Sequence, residues 1–246
     1  MDDTGSWLTR QAYAHRGLHD RAVPENSLAA FSAAIERGLG IECDLRVSMD
    51  GRAMVFHDAA LERLTGQAGL TQAHSVGDLT ALRLGGSDQY IPTLRDMLDL
   101  VAGRVPLLLE LKTDRRESVH KLCRAVRRDI IGYEGDIAVM SFDPRIGNWF
   151  AKRLPDMMRG LVITEENART MSGAARRRLA VRHAKPHFLA YDVRDLPSNF
   201  AARHKHKGLP ILTWTVRSAS LLDTALEFGA VPILEGEGLA AWAQAS

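Results

Sequence analysis

The chain has 246 residues, of which 46% are hydrophobic and 25% are charged, a composition typical of one sizeable globular domain. Its formal charge of +2 excludes an argument for nucleic-acid binding from bulk electrostatics and gives little attraction to an anionic bilayer. The two cysteines exclude a disulfide framework and a four-cysteine zinc site.

The start of the chain, residues 1–10, is acidic and carries no apolar stretch, so we expect no signal peptide. No charge-free apolar run reaches about 18 residues, the length that a membrane-spanning helix needs. We therefore expect a cytoplasmic protein without stable membrane anchoring and without a nucleic-acid partner.

Short apolar strands alternate with segments of helical period along the chain. The first strand is expected at 12–14, before a helix that follows the capping pair Asn26–Ser27 and stops at Gly38. Residues 40–48 and 53–56 are expected to form a hairpin around a turn at 49–51. Later strands are expected at 106–109, 137–140, 161–163, 188–191, 211–214 and 231–234, and helices around 117–130, 144–154, 167–183, 196–206 and 218–228.

Repeated strand-then-helix order predicts a parallel sheet, because parallel neighbours need crossover helices. With the second arm of the hairpin set aside, eight strands remain, which is enough to close a (β/α)8 barrel of the TIM type. An open doubly wound sheet is the alternative. We expect a single domain over 1–246, with an irregular, glycine-rich inserted lobe at 59–93.

Polar residues cluster at the carboxyl ends of the early strands, where a barrel binds its ligand. Glu42 and Asp44 point to one face of their strand, and Glu110 and Lys112 to one face of theirs, because side chains at i and i+2 share a face. A single Glu-x-Asp is more often a solvated strand edge. Carboxylates from two neighbouring strands, however, make a hard oxygen site suited to Mg²⁺ or Ca²⁺.

The hairpin adds a register argument for His57. A two-residue turn at 50–51 places His57 opposite Asp44, and one at 49–50 places it opposite Glu42. Either turn puts His57 on the carboxylate face, whereas a three-residue loop turns it to the other face.

A series of short motifs covers most of the chain, densely from 14 to 112 and thinly afterwards. They are Ala14-His-Arg-Gly17, Pro24-Glu-Asn-Ser27, Glu42-Cys-Asp44, Asp50-Gly51, His57-Asp58, Leu61-Glu-Arg63 with Thr65, Ile91-Pro-Thr-Leu94, Glu110-Leu-Lys112 and Trp214-Thr-Val216. In this order they resemble the glycerophosphodiester phosphodiesterase family, within the phospholipase C-like phosphodiesterase barrels.

The resemblance implies a role for each candidate residue. It implies one divalent cation, Mg²⁺ or Ca²⁺, held by three carboxylates, namely Glu42, Asp44 and Glu110. It implies that one imidazole is the general acid and another the general base, in an order left open, and these are His15 and His57. The implied substrate contacts are Arg16 and Lys112, which face the phosphate, together with Trp214.

The implied reaction is hydrolysis of a small glycerophosphodiester to glycerol 3-phosphate and an alcohol. Two alternatives are a related phospholipase D acting on lysophospholipid or sphingolipid headgroups, and a catalytically silent phosphate-binding protein. A carboxylate-pair glycosidase is weaker, because glycosidic bonds need neither cationic side chain. The sequence departs from the family pattern at Arg217 and over 231–236, which leaves the alcohol moiety open.

Overall fold

The structure, a computed structural model, describes residues 6–114, 118–166 and 168–245. The strands within these ranges are β1 (Tyr13–His15), β2 (Gly40–Val47), β3 (Ala53–Val55), β4 (Leu107–Leu111), β5 (Ile137–Ser141), β6 (Met158–Ile163), β7 (Phe188–Asp192), β8 (Ile211–Val216) and β9 (Val231–Leu234). The α-helices are α1 (Leu28–Glu36), α2 (Glu62–Thr65), α3 (Val76–Thr80), α4 (Leu94–Val101), α5 (Val119–Ile130), α6 (Pro144–Arg153), α7 (Met171–Ala184), α8 (Asn199–His206), α9 (Ala219–Phe228) and α10 (Glu237–Ala245).

Every strand predicted from the sequence is present, with ends shifted by a few residues. The predicted first residues of two helices, 117 and 167, lie outside the described residues. Helix α8 begins three residues later than predicted, because Pro197 disfavours helical backbone at the residue before it and Ser198 caps the helix instead. Helices α4 and α10 were not predicted. Within the described residues, no helix combines the length and the apolar composition that crossing a membrane requires.

The described residues divide into two compact units. In the first unit, residues 16–137, β2 pairs in parallel with β4 and antiparallel with β3. The parallel register sets Asp44 level with Glu110. The single domain expected over 1–246 stays a prediction.

The hairpin of β2 and β3 corrects the register predicted from the sequence. Leu45 pairs with Val55, so both two-residue turns are wrong. The loop has three residues, 49–51, and is closed by a hydrogen bond of 3.0 Å from Ser48 N to Arg52 O. Gly51 has φ +81°, a left-handed conformation that a non-glycine residue rarely adopts. Three-residue hairpin loops commonly have a residue in this conformation at their last position. His57 lies beyond the last residue of β3, so strand alternation does not set its direction.

The second unit comprises residues 6–15 and 138–245. Its strands follow the order β1-β9-β8-β7-β6-β5, and all neighbouring pairs are parallel. Most strand residues are buried, as expected where helices cover a parallel sheet. Together with β2 and β4, these strands make eight that carry the predicted strand-then-helix order.

The inserted lobe at 59–93 is more regular than the sequence suggests. It contains α2, α3 and a 3₁₀ turn at Thr71–Ala73, and Ser75 and Asp78 form a capping box at the start of α3. Most of its apolar residues form one buried cluster with Met54 and Phe56, namely Leu61, Leu79, Leu84 and Ile91, with Leu64, Val76 and Leu82 packed against it. Leu70 is 47% exposed. The lobe therefore uses most of its leucines for its own packing.

Leu79→Ala should destabilise the protein by roughly 2–5 kcal/mol, because it leaves a cavity in a fully buried cluster. Leu70→Ala is the matched control, and we expect its cost to stay within about 0.5 kcal/mol. Urea unfolding of both variants measures the two free energies. Equal losses in the two variants would contradict the packing of the lobe.

Candidate active site

Three buried carboxylates lie together in the first unit. Glu42, Asp44 and Glu110 each offer an oxygen within 4.8 Å of the others. Glu42 and Asp44 come from alternate positions of β2, and Glu110 comes from β4, level with Asp44. The pKa of Glu42 is raised well above its usual value, first by burial and then by the charges of Asp44 and Glu110. The sequence prediction that these side chains share a face is confirmed.

This donor set fits a divalent cation. Three carboxylates offer only hard oxygen ligands, which Mg²⁺ and Ca²⁺ prefer over nitrogen or sulfur. Burial of like charges at this spacing is unfavourable unless positive charge compensates for it. In the described structure, part of that compensation comes from Lys112, whose Nζ lies 2.7 Å from Glu110 Oε1 and 3.1 Å from Asp44 Oδ1.

Arg16 supplies the second cation of the cluster. Its Nε lies 3.0 Å from Asp44 Oδ2, and its backbone N–H donates to Glu42 Oε2 at 3.1 Å. Burial opposes the charged form of Arg16, yet Asp44 and Glu25 outweigh burial and raise its pKa. The backbone of Arg16 has φ +55°, a strained conformation for this residue type. That conformation lets one residue contact two carboxylates.

Asn26 holds Asp44 in place, a role that the sequence did not reveal. Its Nδ2 donates to Asp44 Oδ2 at 3.0 Å, and its Oδ1 accepts from Asp44 N at 3.2 Å. Its own backbone N–H donates to Arg16 O at 2.9 Å. The sequence predicts a helix cap at Asn26–Ser27 and places Asn26 in a family motif, but it assigns no role to the side chain of Asn26. The cap itself is Ser27, whose side chain accepts from Ala30 N.

A chain of alternating charges runs from Arg16 to His57. Arg16 Nη1 donates to Glu25 Oε1 at 2.7 Å, and Glu25 accepts from Arg63 at 2.7 and 3.1 Å. Arg63 Nε donates to Asp58 Oδ2 at 2.5 Å. Asp58 Oδ1 lies 2.6 Å from His57 Nδ1. Glu25, Asp58 and Arg63 lie in motifs that the sequence shows, but neither their spacing nor the family resemblance gave these three residues a role.

His57 is oriented by its neighbours and lies in the field of the carboxylate cluster. Arg46 Nε donates to the His57 carbonyl at 2.7 Å, and Asp58 holds the ring at Nδ1. The pKa of His57 is lowered, mainly by burial. The charge of Asp44 opposes this shift, while Arg16 and Lys112 add to it. When Nδ1 donates to Asp58, the neutral ring keeps an acceptor at Nε2.

The second unit holds His15 in a similar way. His15 Nδ1 lies 2.7 Å from Glu235 Oε2, and Arg217 Nη2 donates to the same oxygen at 2.9 Å. Burial opposes the charge of Glu235, but the hydrogen bonds from His15 and Arg217 lower its pKa to about 2. Arg217 departs from the family pattern, and Glu235 lies in the segment 231–236 that also departs from it. The structure shows that they are partners of one another.

Trp214 lies on β8 of the second unit and is fixed by two contacts. Its Nε1 donates to Ala190 O at 2.9 Å, and its ring meets Phe142 edge-on at a centroid distance of 5.4 Å. The pairing of β8 with β9 shifts register between Thr213 and Val216, on either side of Trp214. Phe142 is 44% exposed, whereas Trp214 is half-buried.

Comparison with known proteins gives consistent findings. Residues 15–235 match the sequence model of the glycerophosphoryl diester phosphodiesterase family. A glycerophosphodiester phosphodiesterase from Caldanaerobacter subterraneus is 33% identical over 41% of this chain and 44% of its own length. One from Bacillus altitudinis is 33% identical over 41% of this chain and 43% of its own length. The chain thus spans about half the length of the curated relatives it matches.

A solved structure matches nearly the whole chain. It is a phosphodiesterase from Oleispira antarctica in complex with the product sn-glycerol-3-phosphate, and the match has a TM-score of 0.84. It covers 98% of each chain at 22% identity, a level that shows a shared fold. The (β/α)8 fold class predicted from the eight alternating strands is confirmed.

Proposed function

The chain belongs to the glycerophosphoryl diester phosphodiesterase family, and from this premise we propose that it hydrolyses glycerophosphodiesters to glycerol 3-phosphate and an alcohol. The proposal places this activity in the cytoplasm on small soluble diesters. The observation that carries it is the cluster of Glu42, Asp44 and Glu110 in the first unit. These carboxylates are buried beside the cationic side chains of Arg16 and Lys112.

Arg16 and Lys112 are proposed to bind the phosphate. A phosphodiester is an anion that repels a nucleophile, so cationic side chains must neutralise the charge that builds on phosphorus. Burial opposes the charge of Lys112, but Glu110 and Asp44 raise its pKa, which keeps the ammonium charged at neutral pH. The guanidinium of Arg16 suits two phosphate oxygens at once.

The proposed metal site consists of Glu42, Asp44 and Glu110. A divalent cation bound there would polarise a phosphoryl oxygen as a Lewis acid. The three carboxylates supply the negative charge that would balance such a cation. Asn26 fixes the orientation of Asp44 through both its amide nitrogen and its amide oxygen.

His57 and His15 are proposed as the acid/base pair. His57 is the better candidate for the base, because its lowered pKa leaves the ring neutral at pH 7, with Nε2 able to accept the proton of the attacking hydroxyl. His15 then donates a proton to the leaving oxygen. Asp58 and Glu235 each hold one ring at Nδ1, and the proposal assigns the proton transfer to the Nε2 atoms.

The buried leucines of the lobe favour a soluble substrate over a membrane lipid. An enzyme that extracts a lipid needs a continuous exposed apolar rim, and the lobe buries Leu61, Leu79 and Leu84 completely. The proposal therefore excludes stable membrane anchoring and makes a lysophospholipid a poor substrate.

A release assay tests the function. Purified protein is incubated with glycerophosphocholine, glycerophosphoethanolamine or lysophosphatidylcholine, and glycerol 3-phosphate is measured. We expect release from the first two substrates and a lower kcat/KM for the acylated one. A preference for lysophosphatidylcholine would favour the phospholipase D alternative, and no release from any substrate would overturn the proposal.

The metal assignment predicts weaker cation binding in two variants. Glu42→Gln and Asp44→Asn should each weaken binding of Mg²⁺ or Ca²⁺ by about tenfold or more, because each removes a hard anionic ligand. Asp99→Asn makes the same chemical change at an exposed position of α4 and should bind as wild type does. Calorimetric titration of the folded variants measures the affinities. Full turnover in excess chelator would contradict the assignment.

The histidine assignment predicts losses in kcat. His57→Ala and His15→Ala should each lower kcat by roughly 10²–10⁴, the usual scale for a lost acid or base. Exposed histidines serve as controls in each unit, His120→Ala in the first and His183→Ala in the second. A silent binding protein instead predicts no turnover in any of these proteins.

The lowered pKa of His57 sets a pH dependence. Below that pKa the ring is protonated and cannot act as a base, so kcat/KM should fall with falling pH. Because the shift is downward, the midpoint of the acid limb should lie below about 6.5, the ordinary value for histidine. A pH profile measured at saturating metal gives this midpoint, and a midpoint above the ordinary value would contradict the role.

A further inference from the structure

The second unit contains a cavity that the proposed reaction does not use. Its volume is about 590 Å³, within the range of small-molecule sites. It lies beyond the carboxyl ends of β6 and β7, between the early residues of α7 and α8. None of the residues assigned to the metal, the acid/base pair or the phosphate lines it. Five arginines do so, namely Arg169, Arg177, Arg178, Arg194 and Arg203.

The wall of this cavity has more positive than negative charge. Two carboxylates, Glu165 and Asp195, line it beside the five arginines. Asp195 pairs with Arg169 at 3.0 Å, and Glu165 lies 3.5 Å from Arg177. A third pair joins Arg194 to Asp192 at 2.6 Å. Three of the arginines are therefore compensated by neighbouring acids.

The two remaining arginines have no such compensation. Arg178 on α7 and Arg203 on α8 are exposed, and within the ranges that the structure describes neither forms an ion pair or a hydrogen bond. They face one cavity from two helices. Two guanidinium groups brought to one cavity repel one another, so an anion between them would lower the electrostatic energy.

The side chain of Arg177 adds a hydrogen-bond donor to the same wall, and neighbouring residues fix its position. It is mostly buried, its Nη1 donates to Ala168 O at 2.9 Å, and its guanidinium lies 5.5 Å from the Phe200 ring centroid. Its Nε is buried without an acceptor among the described residues. Beside it, Ser198, Asn199 and Phe200 at the start of α8 line the cavity, and the Ser198 hydroxyl caps this helix and donates to Glu165 at 2.6 Å.

We propose that this cavity binds a phosphate group that carries two negative charges, on a free phosphorylated small molecule or on a phosphomonoester lipid headgroup. Guanidinium groups match the oxygens of phosphate in bidentate geometry, and arginine is the residue favoured where such a planar, bidentate contact is made. A charge of two compensates Arg178 and Arg203 together. The site goes beyond the proposed reaction and shares no residue with it.

The test is titration of inorganic pyrophosphate into the full chain by calorimetry, in the absence of added metal. The double variant Arg178→Ala, Arg203→Ala should bind at least about tenfold more weakly, because two charge-assisted contacts are lost. The control is Arg176→Ala, Arg182→Ala, which removes the same charge from exposed positions of α7 outside the cavity and should bind as wild type does. Unchanged binding in the first variant, or an equal loss in both, would overturn the proposal.

Further experiments determine whether the bound phosphate belongs to a lipid headgroup or to a free small molecule. Co-sedimentation with phosphatidylcholine vesicles, with and without phosphatidic acid, tests the lipid headgroup. Capture that needs phosphatidic acid and is lost in the Arg178, Arg203 variant assigns the headgroup, and pyrophosphate binding without capture assigns a free phosphate. Absence of both, or equal affinity for succinate, overturns the assignment. Turnover of glycerophosphocholine should be unchanged in both double variants. This assay therefore distinguishes failure of the proposed reaction from failure of phosphate binding in the cavity.

Discussion

The burial of three carboxylates on two adjacent parallel strands is the constraint on which the first unit depends. The register of β2 with β4 sets Asp44 level with Glu110, and the two-residue period of β2 adds Glu42 on the same face. Like charges out of water repel strongly, so the surrounding chain must supply cations and hydrogen-bond donors. A left-handed backbone at Arg16 costs about 1–3 kcal/mol. It is tolerated because this geometry aims the N–H at Glu42 and the guanidinium at Asp44.

A second layer of charges surrounds that cluster. Glu25 lies between two arginines, Arg16 and Arg63, and Arg63 in turn lies between two carboxylates, Glu25 and Asp58. Each charge in this series has opposite charges as neighbours, which favours a single arrangement of the whole set. The orientation of Arg16 is thereby coupled to the orientation of His57, although the two residues are far apart in sequence.

The sequence predicts well what depends on local periodicity. Alternation places Glu42 with Asp44 and Glu110 with Lys112, and the order of strands and helices predicts the fold class. It predicts poorly what depends on loop closure. The side chain of Ser48 and the backbone of Gly51 select a three-residue loop, and no hydrophobic pattern reports that choice. The sequence predicts an irregular lobe at 59–93, because the helices α2 and α3 are too short to show a clear period.

Contacts between residues that are far apart in the chain could not be predicted from the sequence. Glu235 contacts His15 across 220 positions, and only the folded second unit brings them together. Arg217 departs from the family pattern, and so does the segment 231–236, which contains Glu235. A single sequence carries no sign that the two side chains share one hydrogen-bonded oxygen, so their pairing could be seen only in three dimensions.

The pairing of β1 with β9 has a consequence for how the protein is made. β1 is three residues long, and it pairs with β9, the last strand within the described residues, through Tyr13 with Ile233 and Ala14 with Leu234. During synthesis His15 leaves the ribosome 220 residues before its carboxylate partner Glu235. Such contacts of high sequence separation close late, because the entropy of a long loop opposes them. A nascent or prematurely terminated chain would therefore lack the carboxylate that holds His15 at Nδ1, and this contact would form only once translation has passed Glu235.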